Sequence, residues 1–96
     1  MTHLRFHPEA DLEMMEAAVI YETLQPDLGK RFLSEVRNAL NHIQINPQLY
    51  PVIYLDVRKC ITKTFPFKIL FRRIGDQIVV MAVMHQRRHP DYWKRR

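Results

Sequence analysis

Glycine is scarce in this chain, with two in 96 residues, and cysteine and tryptophan occur once each. So little glycine excludes flexible-linker and collagen-like classes, and no internal repeat or low-complexity segment is visible. The lone Cys60 cannot form an internal disulfide and suits a reducing compartment, where it is expected to pack as a small apolar side chain. Long apolar runs are missing too. The longest, Ile78 to Met84, is too short to cross a bilayer but long enough for a strand buried on both faces. The opening MTHLRFHPEADLEMMEAA carries acids where a signal peptide needs a plain apolar core, so a cytoplasmic setting without membrane attachment is expected. His3, His7 and His42 lack metal-ligand spacing and no cysteine accompanies them, so neither a metal site nor a cofactor is expected.

What is present is ordinary globular composition, 47% hydrophobic and 26% charged, over a length that makes one domain, residues 1–96. The net charge of +5 is unevenly spread. Residues 1–27 hold Glu9, Asp11, Glu13, Glu16, Glu22 and Asp27 against Arg5 alone, whereas eleven Lys or Arg follow from Arg58 onward against Asp76 and Asp91. Such segregation offers a basic surface to nucleic acid or to an acidic protein segment.

Leu4-Arg5-Phe6 before Pro8 reads as a short strand, with the proline opening a helix. Ala10, Met14, Ala17, Tyr21 and Leu24 form its apolar stripe, leaving Glu9, Glu13 and Glu16 outside. Gln25-Pro26-Asp27 breaks this helix, and Asp27 or a neighbour is expected to cap a second one that buries Phe32, Val36, Leu40 and Ile43 and stops at Asn46-Pro47. Residues 47–56 read as an ordered connection with a short extended piece. Val57 to Thr64 then alternates, with Val57, Lys59, Ile61 and Lys63 on one face. Phe65-Pro66 turns the chain into Phe67, Ile69 and Phe71 alternating with Lys68, Leu70 and Arg72, and Gly75-Asp76 turns it again into the apolar strand. The fold expected is α+β: an N-terminal strand and an antiparallel helical hairpin packed on a mostly antiparallel sheet of about four strands. In the last strand Val79, Met81 and Val83 should face one side. The helices can cover only one face of the sheet, so the final residues or a partner must cover the other.

Several pieces, in this order, resemble the RelE/ParE superfamily of toxins from bacterial type II toxin–antitoxin systems. They are Phe6-His7-Pro8-Glu9-Ala10, Tyr21-Glu22, Leu28-Gly29-Lys30-Arg31-Phe32, Asn46-Pro47, Thr64-Phe65-Pro66-Phe67-Lys68-Ile69 and Ala82-Val83-Met84-His85-Gln86-Arg87-Arg88. The resemblance implies a growth inhibitor neutralised by a cognate antitoxin that wraps an extended and helical segment around it. It allows two targets. RelE-like members cut messenger RNA on the ribosome without a metal, and ParE-like members bind and poison DNA gyrase with no chemistry of their own. A toxin fold that only binds a partner is a third reading.

An endoribonuclease needs cations for a developing dianionic phosphorane, an acid or base, and an aromatic surface for a base. On that reading the resemblance places Lys68 and Arg87 at the phosphate and makes His85 the acid–base group. Lys59, Lys63, Arg72 and Arg88 extend the basic face, and Tyr92 or Trp93 stacks a base. Each has a plainer alternative: a solvated or antitoxin-docking face for the cations, a structural hydrogen bond for His85, and a lid packed on the sheet for Trp93. The Leu28–Phe32 helix start and the Thr64–Phe67 turn resemble ParE-like members more closely.

Overall fold

The computed structural model describes residues 2–96. The chain runs through β1 (His3–Phe6), α1 (Pro8–Leu24), α2 (Leu28–Ile45), a short 3-10 turn (Pro47–Leu49), β2 (Val52–Tyr54), β3 (Val57–Ile61), β4 (Phe67–Ile74), β5 (Gln77–His85) and a final 3-10 turn (Tyr92–Arg95). The sheet order is β1-β5-β4-β3-β2, with β1 parallel to β5 and every other pairing antiparallel. The expected strand, helical hairpin and meander are all there. The extended piece in residues 47–56 becomes a fifth strand at the sheet edge.

Local chemistry explains the helix ends. Pro8 sits in the first turn of α1, where its missing N–H costs nothing, and His7 Nδ1 accepts the Glu9 N–H at 3.1 Å. α2 differs from expectation: Asp27 adopts a left-handed φ of 70° and gives no side-chain cap. Glu22 caps from the preceding helix instead, accepting the N–H groups of Asp27 (2.9 Å) and Gly29 (3.0 Å). The two helices meet so closely here that a Cβ on Gly29 would lie 2.4 Å from the Ala18 carbonyl oxygen. Backbone cannot yield as a side chain can, so Gly29→Ala should destabilise the fold by roughly 2–3 kcal/mol. Chemical denaturation with an unchanged m-value would check this, and a loss under ~0.5 kcal/mol would mean the hairpin can open without penalty.

Phe32, Val36, Leu40 and Ile43 of α2 are all buried, as their spacing predicts. On α1 Ala10 and Ala17 are buried, but Leu24, assigned to the same stripe, is exposed at the helix end. Phe32, Phe65 and Phe67 close around Tyr21 with ring centroids 4.8–6.1 Å from it, mostly edge to face. Below this cluster Glu35 holds the β3–β4 turn, accepting the N–H groups of Thr64 and Phe65 at 3.0 Å each and the Thr64 hydroxyl. The Thr62 hydroxyl donates to the Phe65 carbonyl and accepts the Phe67 N–H at 3.3 Å.

Burial pulls the Glu35 carboxyl upward, but hydrogen bonds from Phe65, Thr64 and Lys63 outweigh it and hold the group below its ordinary range. A folded-state value below the unfolded one stabilises the protein above the unfolded value, near ~4.3, and that contribution disappears as pH falls through the folded value. Between pH ~4.5 and ~2 the wild type should therefore lose stability more steeply than Glu35→Gln. Parallel urea titrations over that range would test it, and superimposable pH slopes would contradict the assignment.

One register feature reshapes the central strand. Leu70 pairs with Ala82 but Phe71 pairs with Val80, so Met81 is an extra residue, a β-bulge. Strict alternation therefore fails. Ile78, Val80 and Val83 join the cluster under the helices, while Val79, Met81, Ala82 and Met84 join Val57, Leu70 and Trp93 on the other face. Val83 thus lies opposite to its expected face. The helix-free face is covered by the chain's own last residues, with Trp93 2% exposed.

Candidate functional site

The C-terminal segment after β5 is strapped to α1 through one carboxylate. Glu13 Oε1 accepts the Val83 N–H at 3.2 Å and Arg96 Nη1 at 2.8 Å. Oε2 accepts Arg88 Nη1 at 3.0 Å, Arg96 Nη2 at 3.1 Å and the Tyr92 hydroxyl. Arg96 also donates to the carbonyl of the bulged Met81 at 2.9 Å. β1 accompanies β5 only as far as Val80, so Glu13 and Arg96 satisfy backbone groups that no strand reaches. Side-chain exposure is 11% at Glu13 and 12% at Arg96, so this pair is largely shielded from water. The Tyr92 ring lies under Arg88 (3.7 Å to the centroid) and beside Arg96 (5.0 Å). Burial first, and then the Glu13 carboxylate, push the Tyr92 hydroxyl well above its ordinary value. The sequence places Glu13 only outside the apolar stripe of α1. Nothing in helical spacing reveals a partner more than seventy residues away.

The nine residues singled out in the sequence do not converge. His85 ends β5 with its Nδ1 accepting the Arg87 N–H at 3.0 Å and its ring edge-on to Phe67, 5.5 Å between centroids. Phe67 belongs to the helix-side cluster, so His85 rims that face. Lys68, the next residue along β4, leaves the sheet on the opposite face. Lys59 does share a face with Lys68: it pairs with Leu70, and Ile61 pairs with Lys68. Lys63 does not share that face, because β3 ends at Ile61 and the turn carries Lys63 toward α2. Arg72 is occupied, donating Nε (3.1 Å) and Nη2 (2.9 Å) to Asp56 Oδ2. Arg88 and Tyr92 belong to the Glu13 strap. Trp93 packs as the lid, edge-on to Tyr54 at 5.8 Å, and its buried position leaves no ring face for a nucleobase. Arg87 is exposed and makes no side-chain hydrogen bond or ion pair among the described residues.

A depression of about 690 Å³ lies between α2 and the outer edge of β3. Tyr50, Cys60 and Phe65 line its base, and Lys30, Arg31 and Lys63 stand around it together with Asp27, which pairs with Lys30 at 3.6 Å, and Glu35, which is committed to the β3–β4 turn. Burial raises the Cys60 thiol above its ordinary value, which makes it a packing group and a poor nucleophile. β2 pairs only with Val57 and Arg58, and Pro51 accepts the Lys59 N–H at 3.1 Å. Past Lys59, no strand among the described residues covers the outer edge of β3. A groove with an apolar base, cations around it and an open strand edge is suited to an extended acidic peptide.

Among the described residues no three His, Cys, Asp or Glu side chains gather as a metal site would require, and no helix is long and apolar enough to cross a membrane. The helical hairpin on one face of a five-stranded, mostly antiparallel sheet, together with a family-model match over most of the chain, places it among the RelE/ParE toxins. The chain belongs to the family described as ParE toxin of type II toxin-antitoxin system, parDE, whose model matches residues 4–90. Among solved structures, it is similar to a chain of a chromosomal ParDE toxin–antitoxin system from P. aeruginosa. The TM-score is 0.78 at 18% identity, over 88% of this chain and 96% of that one, a likeness that establishes the fold alone. No curated protein matches the chain by sequence.

Proposed function

We propose that this ParE-family toxin inhibits growth by docking on a protein target, DNA gyrase, without chemistry of its own, and is held inactive by a cognate antitoxin. The observation that carries this reading is the dispersal of its reactive groups. Metal-free cleavage of RNA needs an acid, a base and cations converging on one phosphate. Here Lys68 and His85 lie on opposite faces of the sheet, Tyr92 is committed to Glu13, and Trp93 is buried. The antitoxin's place is supported by the groove beside β3, where an acidic extended segment would meet Lys30, Arg31 and Lys63 while its backbone paired with the free edge.

A second reading, ribosome-dependent messenger cleavage, is favoured by one feature: Lys59 and Lys68 flank Leu70 on the helix-free face. Primer extension on messenger RNA in a purified translation system separates the two. Intact message at growth-inhibiting concentrations is expected. Cuts at defined codon positions that vanish without ribosomes would sustain the second reading and overturn the first.

A further inference from the structure

α1 carries a second apolar face that no other element among the described residues covers. Its core side is made by Ala10, Met14, Ala17 and Tyr21. On the opposite side Leu12, Met15 and Val19 recur at helical spacing with Ile20 beside them, 46–61% exposed, and a shallow depression runs between Met15 and Ile20. Every charge on this helix is acidic: Glu9 and Glu16 lie along one flank of the stripe and Asp11 along the other, while Glu13 is turned into the tail strap and Glu22 caps α2. In a chain of net charge +5, a helix without one cation stands out as a separate electrostatic surface.

We propose that this face docks an amphipathic helix of a partner protein bearing Lys or Arg on both flanks of its own apolar stripe. The stripe repeats at the spacing of one helix laid along another, so apolar side chains interdigitate while the flanking cations reach Glu9 and Glu16 on one side and Asp11 on the other. A second copy is a poor occupant, because α1 against α1 would bring two acidic borders together with no cation between them. An anionic lipid surface is repelled for the same reason, as is the acidic segment suited to the β3 groove. The two surfaces therefore select partners of opposite sign. This inference goes beyond the toxin reading and holds whichever target the toxin has.

The test uses the full chain and a labelled helical peptide of about 20 residues with a leucine stripe and Lys/Arg flanks, followed by fluorescence anisotropy. Its comparators are the same peptide with Glu flanks and a scrambled basic peptide. The basic amphipathic peptide should bind at least ~10-fold more tightly than either comparator. Leu12→Gln/Val19→Gln, at exposed helix positions that tolerate glutamine, should weaken binding ~10-fold or more with unchanged circular dichroism. Glu9→Gln/Glu16→Gln should weaken it several-fold and flatten its salt dependence. Equal binding of the Glu-flanked or scrambled peptide, or indifference to the α1 substitutions, would overturn the proposal. A dimer of the free chain that Leu12→Gln/Val19→Gln abolishes in sedimentation would assign the face to a second copy and overturn it as well.

Discussion

Replacing Trp93 with alanine should cost about 3–5 kcal/mol and lower the melting temperature by on the order of 15 °C. The indole belongs to the cluster that closes the helix-free face with Leu70, Met81, Ala82 and Met84, and Tyr92 packs beside it. Truncation leaves a cavity that the bulged strand beneath cannot collapse to fill. The phenylalanine variant should behave differently. Trp93 Nε1 is buried without a hydrogen-bond partner among the described residues, a state that itself costs about 1–3 kcal/mol. Phenylalanine removes that orphan donor together with some ring volume, so its net cost should be below about 1 kcal/mol. Because this is the chain's only tryptophan, its emission reports the lid directly and should be blue-shifted in the native state. Equal effects of both substitutions, or native emission typical of a solvated indole, would show that the tail does not pack as described.

Glu13→Ala is expected to destabilise the protein by about 2–4 kcal/mol and to loosen the tail. Removing one carboxylate strands Arg96, which is nearly as shielded as Glu13, and also unpairs Arg88, the Tyr92 hydroxyl and the Val83 N–H. For Arg96, burial works against the charged form, but the Glu13 hydrogen bonds and charge more than offset it, so the guanidinium is held above its ordinary value. Glu13→Gln keeps an acceptor for Val83 and should fall between wild type and alanine. The effects must also be non-additive: once Glu13 is gone, Arg96→Ala should add less than about half of its cost in the wild type. A double-mutant cycle followed by thermal denaturation and tail amide exchange checks this, and strictly additive losses would remove the strap from the account.

Both of these contacts show where sequence reasoning reaches and where it stops. The helices, the meander and the need for a cover on the helix-free face follow from periodicity, because apolar spacing encodes which side of an element is wet. The Met81 bulge does not, since a run apolar on both faces carries no alternation to betray an inserted residue. Three acids did most of the unanticipated structural work: Glu22 capping α2, Glu35 holding the β3–β4 turn and Glu13 anchoring the tail. Each accepts backbone N–H beyond its own helix, five to seven residues on for Glu22 and about thirty or seventy away for Glu35 and Glu13, and an acid on a helix reads the same whether it meets water or such a backbone. The candidate site suffered the same blindness. Lys68 and His85 are near each other on paired strands, yet His85 pairs with Phe67 and the pleat sends the next residue, Lys68, to the opposite face. The acidic half of the charge segregation appears as α1, whereas two of the three cations around the β3 groove, Lys30 and Arg31, come from α2 and not from the basic stretch after Arg58.

The central claim is that this toxin works by docking, and the most direct measurement is supercoiling of relaxed plasmid by purified DNA gyrase with the protein added. The account predicts inhibition that antitoxin relieves, and an undiminished effect for a soluble His85→Ala/Arg87→Ala variant. Full gyrase activity at concentrations that arrest growth, with toxicity abolished in that variant, would contradict it.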